Sequence, residues 1–387
     1  MTARKAKGGE GHKYARIKTD LSIQILGGAL RPHDQIPSLN ELTRKYKVSK
    51  ITARRALNDL MNEGLVYASK GRGAFVAEAR PRGRALPARR DDQLGVVFSH
   101  GAGQFMSDII TGIDEEAFER GVQINLCLSN DSYAREAENL QRLVEQGLDK
   151  VILFMVLDPR PGALNPNVPL YLKLQEQGVS LLLLACDIAG VPIPSVVYDD
   201  ADAFRRLVAH FHARKRRRLA YATRVDNAST TFERLRGFKD GLLECGLPWL
   251  PARHVQVAAP SHDSIVTASA EAFGRWLEAV GDADAVLCSD EMVAAGVFEA
   301  LEQAGVPAAR RPEVGGMGSS RNLHVLRGNP YVLLEDNTHL LGREAARLLL
   351  EAGLPGRSGE DARPLRHVIR VPLRPPGAAD ARRRRRP

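Results

Sequence analysis

Apolar residues recur at helical spacing at Tyr14, Ile17, Leu21 and Ile25, and Gly27-Gly28 ends that pattern. The chain then turns through Arg31-Pro32 into Pro37-Ser38-Leu39-Asn40-Glu41-Leu42. Ser38 with Glu41 three residues on predicts a capping box, each side chain satisfying an orphan amide of a helix start. That helix runs to Tyr46, Val48 plugs a tight turn, and Ser49 caps a second helix over 50–63 that Gly64 stops. On the second helix Ala53, Leu57 and Leu60 share one face, while Lys50, Ile51, Arg54 and Asn58 share the other. Leu65-Val66-Tyr67 and Ala74-Phe75-Val76 are short strands around the tip Lys70-Gly71-Arg72-Gly73. Helix, capped helix, tight turn, capped basic helix and basic hairpin, in that order, predict a winged helix-turn-helix over residues 12–78.

Residues 79–93 lack apolar periodicity and are rich in Arg, Pro and Gly, which predicts a basic linker. From Leu94 the pattern changes. Strand-like runs over 94–98, 122–128, 150–156, 179–185, 219–223, 285–288 and 331–335 alternate with helical stretches over 105–120, 134–146, 201–213, 231–245, 264–280, 292–304 and 340–353. Gly121, Gly147, Gly246, Gly305 and Gly353 stand where helices stop. This alternation predicts a parallel doubly wound α/β domain over 94–372, long enough to split into two lobes. Ligands in such folds bind beyond the carboxyl ends of the strands, here between the lobes. Gly315-Gly316-Met317-Gly318 is expected to be a loop, and residues 373–387, with the run Arg382–Arg386, a basic disordered tail.

Charge sharpens this division. Residues 1–90 hold 20 Lys and Arg against 7 Asp and Glu, a net +13, whereas the remaining 297 hold 35 against 39, a net −4. Basicity confined to the first quarter is what contact with a polyanion through that quarter requires. Cys127, Cys186, Cys245 and Cys288 form no C-x-x-C pair and lie in or near apolar stretches, so buried free thiols in a reducing compartment are expected. The polar start of the chain and the absence of a long apolar run predict a cytoplasmic protein with no membrane partner. No G-x-x-x-x-G-K-[ST], G-x-S-x-G or H-x-x-x-H spacing is present, so neither an enzyme, a metal site nor a cofactor is expected. Asp199-Asp200 and Asp290-Glu291 suit helix N-caps as well as ligand contacts.

Over residues 12–78 the chain closely resembles the GntR family of bacterial winged-helix repressors. Leu30-Arg31-Pro32, Ile36-Pro37-Ser38, Glu41-Leu42, Val48-Ser49, Thr52, Arg54, Glu63-Gly64-Leu65-Val66 and Gly71-Arg72-Gly73-Ala74-Phe75-Val76 carry the match. The resemblance implies that Ser38, Asn40, Ser49, Lys50, Thr52, Arg54, Lys70, Gly71 and Arg72 meet double-stranded DNA. Asn40 and Lys50 each stand where the family usually has Arg, which changes the operator.

Residues 94–372 resemble the effector domain of the lactose/galactose-repressor family, which shares the periplasmic sugar-binding fold. Leu94-Gly95-Val96-Val97, Pro194-Ser195-Val196-Val197-Tyr198-Asp199, Arg234-Leu235-Arg236-Gly237-Phe238, Ala285-Val286-Leu287-Cys288-Ser289-Asp290 and Leu341-Gly342-Arg343-Glu344-Ala345-Ala346 carry it. A GntR head on this domain is the layout of arabinose-type repressors. Carried over by position, the ligand contacts are Gly103, Phe105, Asp199, Phe232, Asp290 and Asp336. Phe232 falls where the family arginine is expected, Gly103 where it has asparagine and Asp336 where it has glutamine. The pocket therefore loses a cation, and Phe232 stacks on an apolar face of the ligand.

The expectation is a homodimeric, DNA-binding transcription repressor controlled by a small sugar-like or polyol ligand between the lobes. The alternatives are a DNA-binding head on an enzyme-like α/β domain and a regulator answering to a non-sugar ligand.

Overall fold

The computed structural model describes residues 6–69, 72–78, 91–101, 103–158, 165–226, 228–259, 264–352 and 366–376. Lys70 and Gly71 at the wing tip, linker residues 79–90, Gly353 and the tail from 377 lie outside the described residues.

The head opens with α1 (Ala6–Leu26), on which Ile17 and Leu21 are fully buried. Before α2 (Leu39–Tyr46) the capping box is complete: Ser38 Oγ accepts from Glu41 N at 3.3 Å, and Glu41 Oε2 accepts from Ser38 N at 2.7 Å. Lys47 in the left-handed region turns the chain, and Ser49 Oγ accepts from Thr52 N at 3.1 Å to start α3 (Lys50–Asn62). Ala53, Leu57 and Leu60 close with Ile17, Leu21, Ile36 and Leu42 into a core of the head's own. β1 (Val66–Ser69) and β2 (Gly73–Val76) form the antiparallel wing, β1 starting one residue and ending two residues beyond the predicted strand and β2 starting one residue before it.

The rest alternates strand and helix as the pattern requires. In chain order the elements are β3 (Gln93–Phe98), α4 (Gln104–Glu119), β4 (Gln123–Leu128), α5 (Tyr133–Glu145), β5 (Lys150–Phe154), α6 (Val168–Glu176), β6 (Ser180–Leu184), β7 (Ser195–Tyr198), α7 (Asp200–Ala213), β8 (Leu219–Arg224), α8 (Ser229–Glu244), β9 (His254–Val257), α9 (Ile265–Ala279), β10 (Ala285–Cys288), α10 (Glu291–Gln303), β11 (Glu313–Gly318), β12 (Val332–Glu335), α11 (Thr338–Ala352), β13 (Arg366–Ile369) and β14 (Leu373–Arg374). They build two six-stranded sheets, ordered β13-β7-β6-β5-β3-β4 and β14-β12-β11-β10-β8-β9. Every pairing is parallel except β12 with β14. The chain crosses between the lobes after β7, after β12 and after β13. Apolar strands buried on both faces hold each sheet between its helices.

One expectation is overturned. Gly315-Gly316-Met317-Gly318 is no loop but the body of β11, an interior strand of the second sheet. Its glycines answer crowding: a Cβ on Gly316 would sit 2.0 Å from the Cys288 carbonyl oxygen and 2.7 Å from the Tyr331 hydroxyl. Cys186 and Cys288 are buried and Cys127 and Cys245 half-buried, all four as free thiols.

Head and first lobe touch. Ile23 and Leu26 of α1 pack against the hydrophobic core of the first lobe, beside α6.

Candidate nucleic-acid interface and interlobe cleft

The head presents a polar face with its charges free. Ser38, Asn40, Ser49, Lys50, Arg54 and Arg72 are exposed, and Ile51 is 80% exposed among them. Neither Lys50 nor Arg54 has a carboxylate within ion-pair distance among the described residues. The neighbouring Arg55 instead covers the Tyr14 ring at 4.9 Å. Thr52 differs from the rest: it is buried, and its Oγ1 lies 2.8 Å from Ser49 Oγ, so it fixes the start of α3 and does not join the open face. Arg72 sits at the wing tip, where its carbonyl accepts from Gln35 Nε2 at 3.1 Å. A basic helix face beside a basic hairpin can lie in one groove and reach the next.

The cleft is built in the opposite manner, from chain ends that meet only in the fold. On the first lobe, Phe154 at the end of β5 is ringed by Phe98, His100 and Phe105, with centroids 5.8, 6.2 and 6.1 Å away. Gly103 is the N-cap of α4, exposed and at φ 96°. On the second lobe, acidic groups gather. Asp290 caps α10, accepting from Val293 N at 2.9 Å and from Ser289 Oγ at 3.0 Å. Asp199 caps α7, accepting from Asp202 N at 3.3 Å. Both carboxylates therefore serve helix starts. Glu291 is buried and accepts from Asn322 Nδ2 at 2.6 Å. Asp336 is buried at the second crossing, and its Oδ1 has no hydrogen-bond partner. Burial, and then the charge of Glu291, push the Asp336 carboxyl well above the usual range.

The cation missing from the sequence expectation is present, two residues further along. Arg234 is half-buried, its Nε donates to Asp200 Oδ1 at 2.7 Å, and its Nη1 donates to the Ser289 carbonyl at 2.8 Å. Burial works against the guanidinium charge, but Asp200 outweighs it and holds the pKa above its ordinary value. Phe232 is 53% exposed, so it is not a wall of an enclosed pocket. Positions two apart on a helix differ by about 200°, so one faces the interior when the other faces solvent. Gly237 makes this placement possible, because a Cβ there would lie 2.1 Å from the Ala201 carbonyl oxygen, and its absence lets α8 lie on α7 with Arg234 above Asp200. Sequence reasoning singled out Asp200 and Glu291 beside the helix caps without placing them among the ligand contacts, and it missed Phe154. The signal for Arg234 was its place three residues before the close-packed Gly237.

Among the described residues, two polar contacts join the lobes. Asp187 N donates to Ser229 Oγ at 2.9 Å, and Arg321 Nη1 meets the buried Asp108 at 2.7 Å. Among the described residues no helix is long and apolar enough to cross a membrane, and no cluster could hold a metal ion.

Comparison with known proteins agrees with both halves. Residues 13–76 match the model described as bacterial regulatory proteins, gntR family, and residues 91–362 match periplasmic binding proteins and sugar binding domain of LacI family. An arabinose metabolism transcriptional repressor of Geobacillus stearothermophilus is 27% identical over 58% of this chain and 60% of its own length. Its counterpart in Halalkalibacterium halodurans is 29% identical over 44% and 45%. The chain thus spans less than two thirds of these relatives. A solved complex of the transcriptional regulator CelR with cellobiose superposes with a TM-score of 0.62 at 23% identity, over 85% of this chain and 90% of that one.

Proposed function

The chain belongs to the family of periplasmic binding proteins and LacI-type sugar binding domains, and from that premise we propose that it is a DNA-binding transcription repressor governed by a small ligand between its lobes. One observation carries the reading: an exposed basic helix face and a two-lobed α/β domain occur in one chain and are in contact through α1. A ligand that draws the lobes together moves the first lobe as a body, and Ile23 and Leu26 carry that motion to the head.

The ligand is a neutral polyhydroxyl compound, a sugar or polyol. Asp290, Glu291 and Asp336 offer acceptors and, where protonated, donors for hydroxyls. Arg234, 15% exposed, is already committed to Asp200, and Arg224 lies 3.8 Å from Asp290. A phosphate or carboxylate would enter a site with more buried carboxylates than cations, at a cost of several kcal/mol. Gly103, Phe105, Asp199, Asp290 and Asp336 remain its proposed contacts, with Arg234 and Phe154 added. Ser38, Asn40, Ser49, Lys50, Arg54, Lys70, Gly71 and Arg72 are the proposed DNA contacts, and Thr52 supports them.

The working form is a homodimer, since two half-sites need two heads. Phe118, 82% exposed on α4, and Leu126, 42% exposed on the edge strand β4, supply an apolar face on the first lobe for a second copy. Acting on DNA places it in the cytoplasm.

A thermal-shift screen of the full chain against neutral sugars, polyols, amines and sugar phosphates tests the ligand class. A neutral sugar or polyol should raise the melting temperature, and Asp290→Asn should abolish the rise. Stabilisation only by a sugar phosphate, unaffected by changes at Asp199 and Asp290, would overturn it.

A further inference from the structure

Among the described residues of 14–76, every Leu, Ile, Val and Met but one packs into or against the core of the head or that of the first lobe. The exception is Ile51, at the second position of α3, which joins neither core and is 80% exposed. An isoleucine left in water forgoes the stabilisation that burial would contribute, so the fold gives no reason for this side chain.

Its neighbours indicate what covers it. Lys50 precedes it, Arg54 follows one turn on, and both are exposed with no carboxylate within ion-pair distance among the described residues. Arg55, also one turn on, is drawn aside over the Tyr14 ring at 4.9 Å. Thr52, a DNA contact by resemblance, is buried, with its hydroxyl held to Ser49. The outward strip of α3 is therefore Ile51, Arg54 and Asn58, with Lys50 beside it. An apolar protein surface seated on Ile51 would bury two cations without compensation. Duplex DNA meets both needs at once. Its phosphates neutralise the cations, and the C5 methyl of thymine is the apolar group that its major groove presents.

We propose that Ile51 is a specificity-determining residue that packs on a thymine methyl in the major groove, an assignment that rests on the head's being the DNA-binding unit. Helix geometry places the base. Ile51 and Arg54 are three residues apart, about 4.5 Å along the axis, close to the ~3.4 Å between successive bases of one strand. The thymine is therefore at or next to the base pair that Arg54 meets. The contact is apolar, so the preference it creates does not depend on salt as the grip of Lys50 and Arg54 does.

The test uses the full chain and a duplex that it selects from a random library. Each thymine of that duplex is replaced in turn by deoxyuridine, which lacks only the C5 methyl. Wild type, Ile51→Ala and Ile51→Val are titrated against every form by fluorescence anisotropy. Wild type should lose about fourfold in affinity at one or two adjacent positions of each half-site, which is what burying one carbon contributes, and be indifferent elsewhere. At those positions Ile51→Ala should bind thymine and uridine forms alike, about as wild type binds uridine, while Ile51→Val keeps most of the discrimination. The salt slope should be the same in all three proteins, because no phosphate contact is lost. Melting temperatures equal to that of wild type show that the variants are folded, and the uridine series on wild type stands without them. Uridine forms that all bind wild type within about 1.5-fold of the parent duplex would overturn the proposal. So would an alanine variant that discriminates at the sensitive positions as wild type does. A wild type that selects no duplex brings down the DNA-binding reading and this assignment together, whereas tight binding without regard to thymine methyls removes this assignment alone.

Discussion

The head and the second lobe both use charge, but they hold it differently. On the head, Lys50 and Arg54 stand in solvent without ion partners among the described residues. In the cleft, Arg234, Asp200, Glu291 and Asp336 are largely removed from water, and two of them are paired. An exposed charge is free for a partner and contributes little to folding. A buried one is bound into the fold, so function and stability cannot be changed separately there.

The strongest way to break this contrast is to truncate one cation in each region. Arg234→Ala leaves Asp200 buried without its partner and should cost about 3–5 kcal/mol in urea unfolding. Arg54→Ala should stay within about 0.5 kcal/mol of wild type by the same measurement. Equal losses in the two variants would erase the distinction.

A second comparison concerns packing behind the site. Gly316→Ala forces a methyl against the Cys288 carbonyl in β11 and should destabilise by about 1–3 kcal/mol. An unchanged unfolding midpoint would mean that β11 can shift where the close approach says it cannot.

On the head the loss should appear in binding instead. Arg54→Ala should weaken a selected duplex by about 1–3 kcal/mol if the side chain reads a base edge. A uniform loss across unrelated duplexes would assign it to phosphate.

The smallest effect is a pH dependence. Asp336 has a folded-state pKa above its unfolded one, so its contribution to stability is whole below about pH 4 and is lost as pH rises through the folded value. Asp336→Asn removes that loss. Thermal melts should show D336N gaining on wild type at pH 8 relative to pH 4, and parallel pH curves would contradict the burial argument.

The same contrast explains what the sequence could disclose. The head was legible because its signals are local: Ser38 and Glu41 are three residues apart, and Ser49 directly precedes the helix it caps. The wing strands were misplaced by at most two residues. The alternation of strands and helices also gave the two-lobed architecture, but β11 was missed because three glycines in four residues look like a turn. Only the neighbouring Cys288 and Tyr331, distant in sequence, explain them. The cleft was the least legible. Its residues come from β5, α7, α8, α10 and the crossing after β12, and on α8 the cation expected to be lost is Arg234, two residues beyond Phe232.

The central claim is that a ligand in the cleft alters the grip of the head, and one titration tests it most directly. A duplex selected by the full chain from a random library is titrated with and without the sugar or polyol that stabilises the protein, in wild type and in Asp290→Asn. Asparagine also caps helices, so that variant keeps α10 while losing the carboxylate charge. The account predicts that the ligand changes the wild-type Kd for DNA by about tenfold, leaves D290N within about twofold, and that the two proteins bind DNA alike without ligand. A ligand that binds the wild type and leaves its DNA affinity unchanged would contradict it.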